Sequence, residues 1–118
     1  YGEDAFRHAE TNILQLTREK PGLVSTGGGT ALREENRAIM RSNGLIVLID
    51  RPLQDILGDI KLDRRPLLAQ KGLDEVERLY HERIGIYRSV ADAVLDNSRG
   101  YQAGMITLEQ YLRWQFSL

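Results

Sequence analysis

The chain has 118 residues, 42% of them hydrophobic and 28% charged, with a formal net charge of −1. That length suits one small domain with a core of its own. The balance of 16 basic against 17 acidic residues excludes a strongly basic nucleic-acid binder and an acidic tail. With no cysteine, a disulfide scaffold, a thiolate metal centre and a cysteine nucleophile are also excluded, and a reducing cytoplasm is the expected location. His8 and His81 stand far apart, which argues against a zinc centre and makes the surface the expected place for both. The longest apolar run, Leu45 to Ile49, has strand length, well short of the roughly 18–20 residues of a membrane span. The polar opening Tyr1-Gly2-Glu3-Asp4 does not read as a signal peptide. The sequence begins without Met, directly in a helical pattern, so it reads as a portion of a longer protein.

Glu3 to Lys20 carries Phe6, Ala9, Ile13 and Leu16 on one helical face and stops at Pro21-Gly22. Leu23-Val24-Ser25 reads as a short strand leading into Thr26-Gly27-Gly28-Gly29-Thr30. A helix is expected from Ala31 to Arg41, ending at the C-cap signal Ser42-Asn43-Gly44. The unbroken apolar run Leu45–Ile49 predicts a parallel strand covered on both faces. Next come a short helix over Leu53–Asp59, a charged loop over Lys61–Pro66 and a long helix over Leu73–Ala91. That helix has its apolar stripe at Leu73, Val76, Tyr80, Tyr87 and Val90. A strand, Ala93–Leu95, ends at Asp96-Asn97-Ser98, and Arg99–Gln102 reads as loop. The last helix is expected to open at Thr107 with Gln110 as its capping-box partner, burying Leu108, Tyr111, Leu112 and Phe116. Trp114 and Tyr111 read as packing residues. Strands alternating with helices predict an α/β fold with a parallel sheet and flanking helices.

Several features carry candidate chemistry. Gly27-Gly28-Gly29 lies between a strand and a helix, where ligands sit in open parallel sheets. Three glycines admit close backbone approach and offer bare N–H donors, or they form a flexible turn. No Gly-Lys-Ser/Thr follows them, so they are not a Walker A loop. Arg83 leaves the buried stripe or its edge, and its fork suits a carboxylate or phosphate; a structural ion pair or a snorkelling side chain accounts for it equally well. Arg7 sits three residues before Glu10, spacing that suits a local ion pair or an arginine held for a bound anion. Arg64-Arg65-Pro66 suits either a solvated loop or a lid closing over phosphates. Arg99 follows a strand end, as a surface residue or at the border of a nucleotide base.

Five segments taken in order resemble the shikimate kinase family along nearly the whole chain. They are Gly2-Glu3-x-x-Phe6-Arg7-x-x-Glu10, Ser25-Thr26-Gly27-Gly28-Gly29, Glu35-Asn36-Arg37, Arg65-Pro66-Leu67-Leu68 and Arg83-x-x-x-Tyr87-x-x-x-Ala91-Asp92. The resemblance implies a P-loop, nucleoside-monophosphate-kinase-like three-layer fold. It also implies transfer of the ATP γ-phosphoryl to the shikimate 3-hydroxyl with Mg²⁺, in aromatic amino-acid biosynthesis. Carried over residue by residue, it makes Arg7 and Arg83 the grip on the shikimate carboxylate, with Glu10 orienting Arg7. Gly27, Gly28 and Gly29 would line the site, the last two giving N–H groups to the ring hydroxyls. Arg65 would be the lid arginine, in a lid over residues 60–70 of a single unit spanning 1–118, and Arg99 would lie by the adenine.

The sequence departs from the family in lacking its Gly-x-x-Gly-x-Gly-Lys-Ser/Thr loop and its Asp-x-Asp segment. It also lacks, between Gln54 and Lys61, an arginine for stacking on adenine. An incomplete fold is therefore expected: no turnover by this chain alone, and self-association through exposed apolar sheet edges. Two other readings share these features. One is a non-catalytic small-acid sensor module of a regulator, and the other is a related small-molecule kinase acting on gluconate.

Overall fold

A computed structural model of the chain describes residues 2–62 and 70–117. In chain order the elements are α1 (Gly2–Leu16), 3₁₀ turns at Thr17–Glu19 and Thr30–Leu32, α2 (Glu34–Asn43), β1 (Val47–Asp50), α3 (Leu53–Leu62), α4 (Gln70–Val90), β2 (Ala93–Asp96) and α5 (Tyr101–Phe116). β1 and β2 run parallel, in the register Val47↔Ala93 to Asp50↔Asp96, with α3 and α4 forming the crossover between them. The α/β class with a parallel sheet is as expected. Asp92 closes the near end of the ladder, its Oδ2 accepting from Ile46 N–H at 2.7 Å and its own N–H donating to Ile46 O at 2.7 Å. At the far end Asn97 N–H donates to Asp50 O at 2.8 Å.

Leu23–Ser25 is not a strand: it has no regular secondary structure and no ladder partner among the described residues, and Leu23 is 78% exposed. An extended segment becomes a strand only beside another strand's free edge. Nor is the sheet fully covered on both faces: Ile49 and Val94, which the register places on opposite faces, are 46% and 49% exposed.

α1 is rotated from the expected setting. Phe6, Ala9, Ile13 and Leu16 face outward, and Thr11 and Leu14 are its buried residues. In this orientation the Arg7–Thr11 turn makes hydrogen bonds to Thr30 and Asn36. Ile13 and Leu16 join Leu23 and Val24 in lining an open groove of about 340 Å³. Among the described residues the buried apolar core is small: Leu14, Ala31, Ile39 and Val90.

The α2 expectation splits into a 3₁₀ turn followed by a helix that ends at Gly44, whose N–H donates to Met40 O at 3.2 Å. α3 runs past Asp59 to Leu62, and α4 begins earlier than Leu73. α5 opens at Tyr101, not Thr107, because Gly100 (φ 94°) supplies the N-cap. Thr107 is interior, its hydroxyl donating back to Ala103 O at 2.9 Å. Along α5, Leu108, Tyr111 and Leu112 are half-buried, whereas Phe116 and Trp114 are exposed, Trp114 by 76%. No described helix is long and apolar enough to cross a membrane.

Candidate functional site

The 3₁₀ turn after the glycines is the meeting point of α1, α2 and α4. From α1, Arg7 Nη1 donates to Glu10 Oε1 at 3.0 Å, and Arg7 Cζ lies 5.2 Å from the centroid of the Phe6 ring. Glu3 adds a looser contact, 3.6 Å from Arg7 Nη2. The second Glu10 oxygen accepts from Thr30 Oγ1 at 2.9 Å, so one carboxylate joins the arginine to the turn. The Arg7 and Glu10 side chains are largely buried, 23% and 16% exposed.

Two residues of α4 approach the same turn. Arg83 and Tyr87 are one helical turn apart and share a face. A Cβ placed on Gly28 would lie 3.3 Å from Tyr87 Oη and 3.4 Å from Arg83 Nη1. The Tyr87 hydroxyl also donates to Gly28 O. On Gly29, a Cβ would overlap the Arg7 guanidinium, while on Gly27 it would meet only Glu10 Oε2 at 3.6 Å and Thr30 Oγ1 at 3.9 Å. None of the three glycines has positive φ. Gly28 and Gly29 serve for space, because side chains from two helices press against this backbone, and not for an unusual conformation, whereas Gly27 has room for a Cβ. The N–H groups of Gly28 and Gly29 donate to nothing among the described residues, leaving two bare donors between two arginines.

The electrostatics of the two arginines differ. Arg7 is neutralised by Glu10. Arg83 is half-buried and has no carboxylate partner among the described residues. A half-buried guanidinium without an acid gains strongly from a bound anion. The arrangement therefore offers a small organic acid one uncompensated cation, a second cation held by a glutamate, and two backbone donors beneath them.

The sequence model described as shikimate kinase matches residues 1–111. The chain belongs to the shikimate kinase family. The shikimate kinase of Clostridium beijerinckii is 39% identical over 100 residues, which cover 84% of this chain and 59% of that protein. That of Aromatoleum aromaticum is 39% identical over 108 residues, covering 89% and 62%. Among solved structures, a shikimate kinase from Acinetobacter baumannii in complex with shikimate superposes with a TM-score of 0.78 at 28% identity, over 98% of this chain and 65% of that one. The chain thus spans about three fifths of the length of the curated relatives it matches. Its architecture is a part of the P-loop, nucleoside-monophosphate-kinase-like α/β fold of the family.

Of the residues singled out in the sequence, Arg7, Glu10, Gly27, Gly28, Gly29 and Arg83 come together here. Arg99 does not join them. It is exposed in the loop between β2 and α5, with no hydrogen bond or ion pair to another described residue. Arg64 and Arg65, with most of the expected lid over 60–70, lie outside the described residues. His8 and His81 are exposed, as expected. Among the described residues no group of three or more His, Cys, Asp or Glu converges.

Sequence reasoning gave no role to Thr11, Thr30 or Asn36, and it placed Tyr87 in an apolar stripe. A hydroxyl residue directly after the glycine triplet is the signal that points to Thr30. Tyr87 lies four residues beyond Arg83, the i,i+4 spacing that puts its hydroxyl over the same turn.

Proposed function

We propose that this chain carries the shikimate-holding part of a shikimate kinase. The whole enzyme would transfer the γ-phosphoryl of ATP to the shikimate 3-hydroxyl in the biosynthesis of aromatic amino acids, in the cytoplasm. The observation that carries this reading is the approach of Arg7 and Arg83, from two separate helices, to adjacent glycines of one turn.

In this reading Arg83 and Arg7 pair with the shikimate carboxylate, and Glu10 keeps Arg7 aimed at it. The N–H groups of Gly28 and Gly29 donate to the ring hydroxyls, and Gly27 lines the same turn. The carboxylate anchors the ring, so the 3-hydroxyl presents its oxygen to the γ-phosphorus of ATP. A new O–P bond forms, the bridge between the β- and γ-phosphates breaks, ADP departs, and the hydroxyl proton leaves. Such a transfer depends on positioning and on cations near the moving charge more than on covalent chemistry. Arg65, in a lid over residues 60–70 of a single unit spanning 1–118, would neutralise the phosphates, and Arg99 would border the adenine.

Calorimetric titration tests the reading. The 118-residue chain should bind shikimate and discriminate against gluconate, which lacks the rigid ring. Because the sequence contains no Gly-x-x-Gly-x-Gly-Lys-Ser/Thr loop, the same sample should release no ADP from ATP and shikimate. Tighter binding of gluconate would overturn the substrate assignment, and appreciable ADP release would overturn the division of labour.

A further inference from the structure

We propose that Asn36 is the positioning residue of the carboxylate grip, holding Arg7 and Glu10 in register with the glycine turn. The proposal rests on the reading that Arg7 holds the shikimate carboxylate. Asn36 is 0% exposed and is the largest fully buried side chain among the described residues. A small core whose deepest side chain is a primary amide calls for a reason, because Leu has nearly the same shape without the cost of burying a polar group.

The hydrogen bonds supply that reason. Asn36 Nδ2 lies 2.9 Å from Thr30 O, which can only accept, and this fixes the amide orientation. Oδ1 then faces Thr11 Oγ1 at 2.8 Å, the nearer of two acceptors for the one Thr11 hydroxyl proton, the Arg7 carbonyl lying at 3.0 Å. Thr11 in turn accepts from Arg33 Nη1 at 3.1 Å. One buried amide therefore ties α1, through Thr11, to the turn that follows the glycines, through the Thr30 carbonyl. From the same Thr30, Oγ1 donates to Glu10 Oε2 at 2.9 Å, and Glu10 Oε1 receives Arg7 Nη1 at 3.0 Å. The circuit closes on the guanidinium that presses against Gly29. Neither end of the Asn36 amide touches the ligand space, so its action on binding runs through Arg7 and Glu10. Arg83, on α4, has no hydrogen bond or ion pair to this circuit.

A double-mutant cycle read by shikimate affinity tests this, using NMR titration for the weaker variants. Asn36→Leu should weaken shikimate binding about tenfold when Arg7 is present. In an Arg7→Ala background it should change affinity less than twofold, and in an Arg83→Ala background the tenfold loss should persist. A merely structural role predicts the same loss in all three backgrounds, and that result, or no loss at all, overturns the proposal. Should Asn36→Leu not fold, the Thr30 pair decides. Thr30→Val keeps the carbonyl contact to Asn36 but removes the link to Glu10, so it should lose affinity severalfold, and Thr30→Ser should restore it to within twofold. Equal affinities for the two Thr30 variants would break the circuit and sink the proposal. If Arg7→Ala itself leaves affinity unchanged, the grip reading fails and takes this one with it. If Arg7→Ala weakens binding but Asn36→Leu adds to it independently, only the role of Asn36 fails.

Discussion

The Arg7 guanidinium occupies the space that a Cβ on Gly29 would fill, so the identity of one residue fixes the position of the other. The clash would be with the tip of a flexible side chain, which can move. Gly29→Ala should therefore cost little stability, below about 1 kcal/mol, because its backbone (φ −88°, ψ −9°) suits alanine. It should nonetheless reduce shikimate affinity about tenfold by displacing Arg7. Gly27→Ala, with ordinary contacts, should leave both nearly unchanged. Thermal melting and calorimetry on the two variants check the contrast.

Arg83→Ala should weaken shikimate binding by about 1.5–3 kcal/mol, the size of one charge-assisted pair, or roughly 10–150-fold. The loss should be specific for the carboxylate. Shikimate methyl ester, which has no anion, should bind the parent and the variant alike, and titration with acid and ester side by side reads this out. In an active enzyme carrying these residues, Arg65→Ala should lower kcat with little change in the KM for shikimate.

The outward apolar residues of α1 and the half-exposed apolar residues on both faces of the sheet predict association. Ile13, Leu16, Leu23 and Val24 form one apolar groove, and Ile49 and Val94 lie on the sheet. Burying such surface is worth about 25 cal/mol per Å², so the chain should self-associate at micromolar concentration. Light scattering should show species larger than a monomer, and Ile13→Lys with Leu16→Glu should reduce them. A cooperatively folding monomer in the parent would count against this expectation.

Acid should loosen α4 through Glu75. The Arg78 guanidinium, hydrogen-bonded to it, holds the Glu75 carboxyl below its ordinary value of 4.5. As pH falls through this window the unfolded chain takes up the proton first, so the contribution is present above pH 4.5 and fades as pH drops through the folded value. The melting difference between parent and Glu75→Gln should shrink over the same range. The Arg78 shift is upward, beyond any working pH, and adds no pH dependence.

Much of the site was legible in the sequence because its parts are local patterns. Glycines after an extended segment, an Arg–Glu pair at i,i+3 and an arginine on a helix stripe can each be read in a short window. The circuit through Asn36 was not legible, because Thr11, Thr30 and Asn36 meet across a separation of 25 residues, and a buried Asn has no periodic signature. The orientation of α1 was misread for a related reason. Periodicity reports which face is apolar, but here the inward face is the one whose polar groups bond to residues far along the chain. The start of α5 was misplaced because a glycine with positive φ, and not a capping box, begins it.

The seam between α1 and its neighbours is made of directional bonds. An apolar seam tolerates sliding, since one greasy contact replaces another at little loss. A seam of hydroxyls, an amide and a carboxylate has a single setting, and slipping the helix by one residue would swing Arg7 by about 100° about the axis. The first helix is therefore indexed like a keyed shaft, and the aim of its arginine is as definite as the bonds that lock it.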